Sequence, residues 1–114
     1  MNAIQEVTSN TFDSEVLQSP IPVLVDLYAP WCGSCRMMSV ILDNIAPQFA
    51  GRAKFVKINT DEQTELASAF QVSSIPTVSL VHGGKVVNSF VGLANAKSIQ
   101  QMIEKVAAPV GAAH

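Results

Sequence analysis

Two cysteines, Cys32 and Cys35, sit in the segment Trp31-Cys32-Gly33-Ser34-Cys35-Arg36 and are the only cysteines of the chain. An apolar run, Val23-Leu24-Val25-Asp26-Leu27-Tyr28, precedes them and reads as a buried strand. An amphipathic stretch from Met37 to Ala50 follows and reads as a helix. The pair therefore lies where a strand hands over to a helix. The free N–H groups and dipole of a helix N-terminus favour negative charge, so a thiol placed there ionises more easily. The thiolate is the attacking species in disulfide exchange, and a second thiol two residues on is placed to attack the resulting mixed disulfide.

Two other chemistries fit a cysteine pair. Half of a zinc site would need two more ligands at suitable spacing. The chain offers no third cysteine, and its histidines are His82, beside a turn, and His114, at the end. A pair of inert core thiols is the other reading. The junction position between Trp31 and Gly33 argues against it.

At 114 residues, 48% hydrophobic and 14% charged, the chain suits one folded domain with its own core. A net charge of −2 is too small to point to nucleic acid or an anionic membrane as a partner. Met1 to Glu6 shows no basic segment leading into an apolar core, so no signal peptide is expected, and no apolar run is long enough to span a bilayer. A cytoplasmic location follows as an expectation, and there a cysteine pair is more often catalytic than a permanent cross-link.

The elements that must position the pair follow from pattern. Ile4 to Thr8 reads as a short strand. Asn10 to Asp13 offers a cap for a short helix with Phe12 and Val16 on one face, and Ser19-Pro20-Ile21-Pro22 ends it. Val23 to Tyr28 is apolar on both faces apart from Asp26, the pattern of a central strand. Met38, Ile41, Leu42, Ile45 and Phe49 form the core stripe of the long helix, which Pro47 and Gly51 bring to a stop. Phe55 to Ile58 is a strand, and Asp61 to Phe70 a helix with Thr60 as candidate cap. Thr77 to Val81 and Val86 to Val91 are strands joined by Gly83-Gly84, a hairpin signal. Ile99, Met102, Ile103 and Val106 mark a last helix, and the rest is expected to be a loose tail. The order β-α-β-α-β-α-β-β-α demands parallel pairing early and antiparallel pairing late, hence an α/β fold with a mixed sheet and helices on both faces.

Three residues stand out. Asp26 is a carboxylate among apolar neighbours, on the face of Leu24 and Tyr28 beneath the next helix. Desolvation there raises its pKa toward that of a proton acceptor working near neutrality, whereas the plainer reading is a strand-edge carboxylate paired with a lysine. Lys57 either approaches Asp26 from a neighbouring strand or is a solvated lysine at a strand end. Pro76, after Ile75, opens a strand in either peptide isomer, and its position alone does not select cis.

Taken together, Val25-Asp26, Ala29-Pro30-Trp31-Cys32-Gly33-Ser34-Cys35-Arg36, Lys57-Ile58-Asn59, Asp61, Ile75-Pro76-Thr77, Gly84 and Gly92 resemble the thioredoxin family over nearly the whole chain. The resemblance implies a three-layer fold with a mixed sheet of about five strands and four helices on both faces. It places the domain at residues 1–107, with 108–114 as a flexible tail. It implies a general protein-disulfide reductase in which Cys32, the exposed thiol, attacks and the more buried Cys35 resolves. Asp26 would accept or relay the proton of Cys35, with Lys57 nearby. Pro76 would be cis and pack against the cysteines. Trp31, Gly33, Ile75, Pro76 and Gly92 would line the substrate surface. The expected partners are disulfide-containing proteins and a thioredoxin reductase that carries the flavin and nicotinamide, so a monomer with no cofactor or metal of its own is expected. An oxidase or isomerase, and a docking module without turnover, are the competing readings; no glutathione-binding set suggests a glutaredoxin.

The chain departs from the family pattern twice. Val40 replaces a helix-kinking proline, so the bend of the long helix should weaken. Ser34 replaces the proline of Cys-Gly-Pro-Cys, which restores an N–H and adds a hydroxyl, either of which can donate to the Cys32 thiolate. Our hypothesis is that Ser34 stabilises the reduced form and makes the disulfide more oxidising. Ser34→Pro should therefore lower the reduction potential measured against a thiol buffer; an unchanged or higher value refutes this role.

Overall fold

The computed structural model describes residues 4–109. The first three residues and the last five, including His114 and most of the expected tail, lie outside that range. Five strands form one sheet in the order β1-β3-β2-β4-β5: β1 Gln5–Glu6, β2 Val23–Tyr28, β3 Lys54–Asn59, β4 Thr77–His82 and β5 Lys85–Val91. β1 and β2 both run parallel to β3, β4 runs antiparallel to β2, and β5 antiparallel to β4. The helical segments are a π-helical turn Asp13–Leu17, α1 Gly33–Ile45 with a 3₁₀ extension Ala46–Phe49, α2 Thr64–Ala69 and α3 Ala96–Glu104.

The central strand separates two cores. Leu24 faces Met38, Leu42 and Ile45 of α1, and Ile99 and Ile103 of α3. Val23, Val25 and Leu27 face the other way, toward Val16 of the π-helical turn and Leu66 of α2. This is the three-layer arrangement expected from an apolar strand covered on both sides.

Element ends differ from the sequence reading where side chains intervene. α1 begins at Gly33, inside the cysteine motif rather than at Met37, because the Cys32 side chain serves as its cap. It runs unbroken through Val40 and passes into the 3₁₀ turn at Pro47, which has no N–H to continue the α ladder. Gly51 then takes a φ of +79°. α2 starts at Thr64, not Asp61, because Asn59 Oδ1 accepts from the N–H groups of Asp61 and Glu62 and holds a turn there. Thr60 does not cap α2; its hydroxyl donates to the Tyr28 carbonyl at 3.0 Å. No side chain caps the π-helical turn. The preceding bend is closed by Thr11 Oγ1, which accepts from Thr8 N–H. Gly83 and Gly84 both have positive φ, as a tight two-residue hairpin turn requires.

The long helix thus has a wet side and a dry side. Leu42, fully buried between sheet and α3, should lose about 2–5 kcal/mol of unfolding free energy in urea when changed to alanine. Val40→Ala, at a position 61% exposed, should change it by less than about 0.5 kcal/mol. Comparable losses at the two positions would contradict the packing described.

Candidate functional site

β2 ends at Tyr28 and the chain turns through Ala29, Pro30 and Trp31 into α1. Cys32 takes an extended conformation, and its Sγ accepts from the N–H of Cys35 at 3.2 Å. It occupies the position that serine or aspartate usually fills at a helix start. The Ser34 hydroxyl lies 3.4 Å from the same sulfur. A thiolate only accepts, so in that state the serine donates.

The two sulfurs experience opposite environments. Desolvation alone would push the Cys32 thiol up, but the hydrogen bonds from Cys35 and Ser34, side chain and backbone together, outweigh it and bring the thiol below its ordinary value. Burial pushes Cys35 up to about 12, reinforced by the hydrogen bond and charge of Cys32 and by the charge of Asp26. Cys32 is less open than the family resemblance implied: it is 7% exposed against 2% for Cys35, so the ranking holds while the contrast is small. Hydrogen bonds to charged groups contribute about 1.5–3 kcal/mol, which sets the drop in potential for Ser34→Pro at roughly 30–60 mV for a two-electron couple.

Behind Cys35, a cavity of about 110 Å³ is lined by Asp26, Tyr28, Ala29, Pro30, Arg36, Ser39 and Lys57. Asp26 is 3% exposed, and its Oδ1 has no hydrogen-bond partner. Burial is the main cause that raises its pKa to about 7; Lys57 opposes this, and Glu6 and Asp43 add to it. Asp26 and Lys57 stand opposite one another in the β2–β3 register, so Lys57 does approach from the neighbouring strand. The pair does not close into a salt bridge: the ion pairs among the described residues are Arg52–Glu104 and Lys54–Glu15.

On the outer side, Ile75 packs against Ala29, Cys32 and Cys35. The Ile75–Pro76 peptide is cis, the isomer implied by the resemblance. Gly92, with φ +88°, donates its N–H to the Pro76 carbonyl at 2.8 Å and so ties the end of the β5 segment to this loop. Trp31 is 69% exposed and its Nε1 donates to Asp61 Oδ2 at 2.8 Å. Gly33 is exposed at the first position of α1, with the Arg36 guanidinium as the nearest group to where a Cβ would stand. The Arg36 guanidinium donates to the Pro30 carbonyl.

Sequence reasoning named Asp61 only as a helix start and as part of the resemblance, with no role, and passed over Asp43, Ser39 and the pair Tyr28–Glu6. Asp43 had a usable signal, a carboxylate between Leu42 and Ile45 that lies one turn after Ser39 on α1. Tyr28 and Glu6 meet through tertiary structure alone, and no spacing rule announces them.

The raised pKa of Asp26 has a consequence for stability. Between the unfolded value of 3.8 and about 7 the folded protein keeps a proton that the unfolded chain releases, so stability falls as pH rises across this window and levels off above it. The loss is on the order of 4 kcal/mol. Urea unfolding from pH 4 to 8 should show this decline in the native sequence and a much flatter profile in Asp26→Asn; parallel profiles would place the carboxylate's charge in solvent.

Three properties coincide: a helix-capping thiol, a more buried second thiol behind it, and a buried carboxyl beside a cavity. The sequence model of the thioredoxin family matches residues 3–105. The chain is 47% identical to "Thioredoxin 1" of Nostoc sp. over 105 residues, which cover 92% of this chain and 98% of that protein. It is 44% identical to "Thioredoxin" of Haemophilus influenzae over 81% of this chain and 86% of the other. It is also 42% identical to "Thioredoxin M-type, chloroplastic" of Chlamydomonas reinhardtii over 87% and 71% respectively. Sequence, fold and cysteine arrangement agree, and the chain belongs to the thioredoxin family of dithiol–disulfide oxidoreductases.

Proposed function

We propose that Cys32 is the attacking sulfur and Cys35 the resolving one in the reduction of partner protein disulfides. The observation that supports this most directly is the donation of Cys35 N–H to Cys32 Sγ with Ser34 beside it, which favours a thiolate at Cys32 alone. The Cys32 thiolate attacks one sulfur of the substrate disulfide; a mixed disulfide forms and one substrate thiolate leaves. That attack removes the charge on Cys32 that helped to hold Cys35 protonated. Cys35 then passes its proton toward Asp26, and its thiolate attacks Cys32 Sγ. The second substrate thiolate leaves, and a Cys32–Cys35 disulfide remains. The cavity between carboxyl and thiol has room for a bridging water, since one needs only about 10–15 Å³ of free space.

In this reading Lys57 modulates Asp26, Ser34 and Gly33 tune the couple, and Trp31, Ile75, Pro76 and Gly92 receive the substrate backbone. The Trp31–Asp61 hydrogen bond supports this by fixing an exposed aromatic face beside the thiol. Return to the dithiol falls to a flavin- and nicotinamide-bearing thioredoxin reductase. No helix among the described residues is long and apolar enough to cross a membrane. We place the protein in the cytoplasm as a monomer, where a thiol pair is kept reduced.

The roles separate by variant. Cys32→Ser should abolish turnover of a protein disulfide with dithiothreitol as reductant. Cys35→Ser should still attack and accumulate the mixed disulfide, visible by mass. Asp26→Asn should slow resolution at neutral pH by about 100-fold, the low end of the range for general base catalysis, and leave the first attack little changed. Turnover that survives Cys32→Ser would refute the assignment.

A further inference from the structure

One row across the parallel part of the sheet carries more charge than the exchange chemistry uses. Glu6 of β1 stands opposite Lys57 of β3, and Lys57 stands opposite Asp26 of β2. Side chains opposite one another in a ladder share a face, so Lys57 lies between two carboxylates. It is absent from both ion pairs found among the described residues. Its Nζ instead stands 5.9 Å from the centre of the Tyr28 ring. The Tyr28 hydroxyl donates to both carboxylate oxygens of Glu6, at 2.8 and 3.0 Å. Burial and that hydrogen bond push the Tyr28 hydroxyl up, so it stays a donor throughout the working pH range.

We propose that Glu6 is a positioning residue for the exchange reaction: anchored by Tyr28, it shares Lys57 with Asp26 and keeps the lysine from closing onto the buried carboxyl. A closed Asp26–Lys57 ion pair would hold Asp26 ionised and make it a weak base. With Glu6 neutralised, Asp26 is the one carboxylate left in the row, and the ammonium settles on it. The charged and titratable groups around Asp26 are Lys57 from β3, Glu6 from β1, Tyr28 on its own strand, and Cys35, Arg36 and Asp43 from α1. β4 presents Val78 opposite it. Glu6 and Asp26 are the carboxylates paired in register with Lys57; Asp43, on the helix, lies outside that row. The inference rests on the reading of Asp26 as acceptor of the Cys35 proton.

The test is titration of the Asp26 side-chain carboxyl by ¹³C NMR in the reduced full chain. It compares the native protein with Glu6→Gln, Lys57→Met and the double variant. Glu6 is exposed on a two-residue edge strand, so the amide is compatible with the fold. Glu6→Gln should lower the Asp26 midpoint by about one unit, the small end of what a close opposite charge does. In the Lys57→Met background the same substitution should have half that effect or less. No shift in the native background, or a shift that keeps more than half its size without Lys57, overturns the proposal. The readout is the carboxyl itself, so it stands apart from whether Asp26 serves Cys35, which the Asp26→Asn exchange kinetics decide.

Discussion

The structure depends on one capping interaction, the Cys35 N–H donated to Cys32 Sγ at the first turn of α1. A helix start leaves backbone donors without partners, and most proteins supply a serine or aspartate oxygen. Here the acceptor is a sulfur whose ionised form is the better acceptor. Helix stability and thiolate stability are therefore the same contact. The cap also fixes where Cys35 goes, since the third position of the helix turns inward onto Ala29 and the end of β2. The asymmetry between the two sulfurs, one lowered in pKa and one raised, follows from helix geometry, with little help from exposure.

That geometry works because β2 is buried on both faces. A strand with Val23, Val25 and Leu27 in one core and Leu24 in the other cannot shift register without exposing one set or burying polar groups. It holds Asp26 rigidly beneath α1. The carboxyl costs stability as a charge and has an unpartnered oxygen, which is a poor arrangement for a purely structural residue. It suits the proposed acceptor of the Cys35 proton, because a carboxyl raised to about 7 can bind a proton near neutrality and give it up again. Buried polar groups retained without a partner mark places where function overrides packing.

How much of this the sequence disclosed depended on whether local order or tertiary meeting decided the feature. The strands, the glycine hairpin and the core stripe of α1 were legible because apolar periodicity reports burial directly. The position of Asp26 under the helix was legible for the same reason. Helix starts were not: Asn59 diverts α2 by three residues through a side-chain bond that composition cannot rank against Thr60. Apolar pattern places Cys32 before a helix, while its sulfur caps that helix. The cis Pro76 was legible through family resemblance and not through physics, because an X-Pro pair at a strand start suits either isomer. The slight exposure of Cys32 depends on Ile75, 43 positions away by number, folding over it.

The short edge strand shows why tertiary meetings matter most at the site. β1 is only two residues long and contributes little to either core, yet its parallel pairing puts Glu6 in line with Lys57 and Asp26. Parallel ladders carry side chains of adjacent strands to the same face at the same height, so three strands suffice to line up three charges. The central one is a lysine, whose long stem lets its ammonium choose among neighbours. A rigid arginine fork would commit to one carboxylate. Tyr28 holds Glu6 on one side and the apolar floor of β2 surrounds Asp26 on the other, while the lysine takes part in neither ion pair among the described residues. Burial does most to raise the proton affinity of Asp26, and the charges of Lys57 and Glu6, both outside the cysteine motif, adjust it in opposite directions.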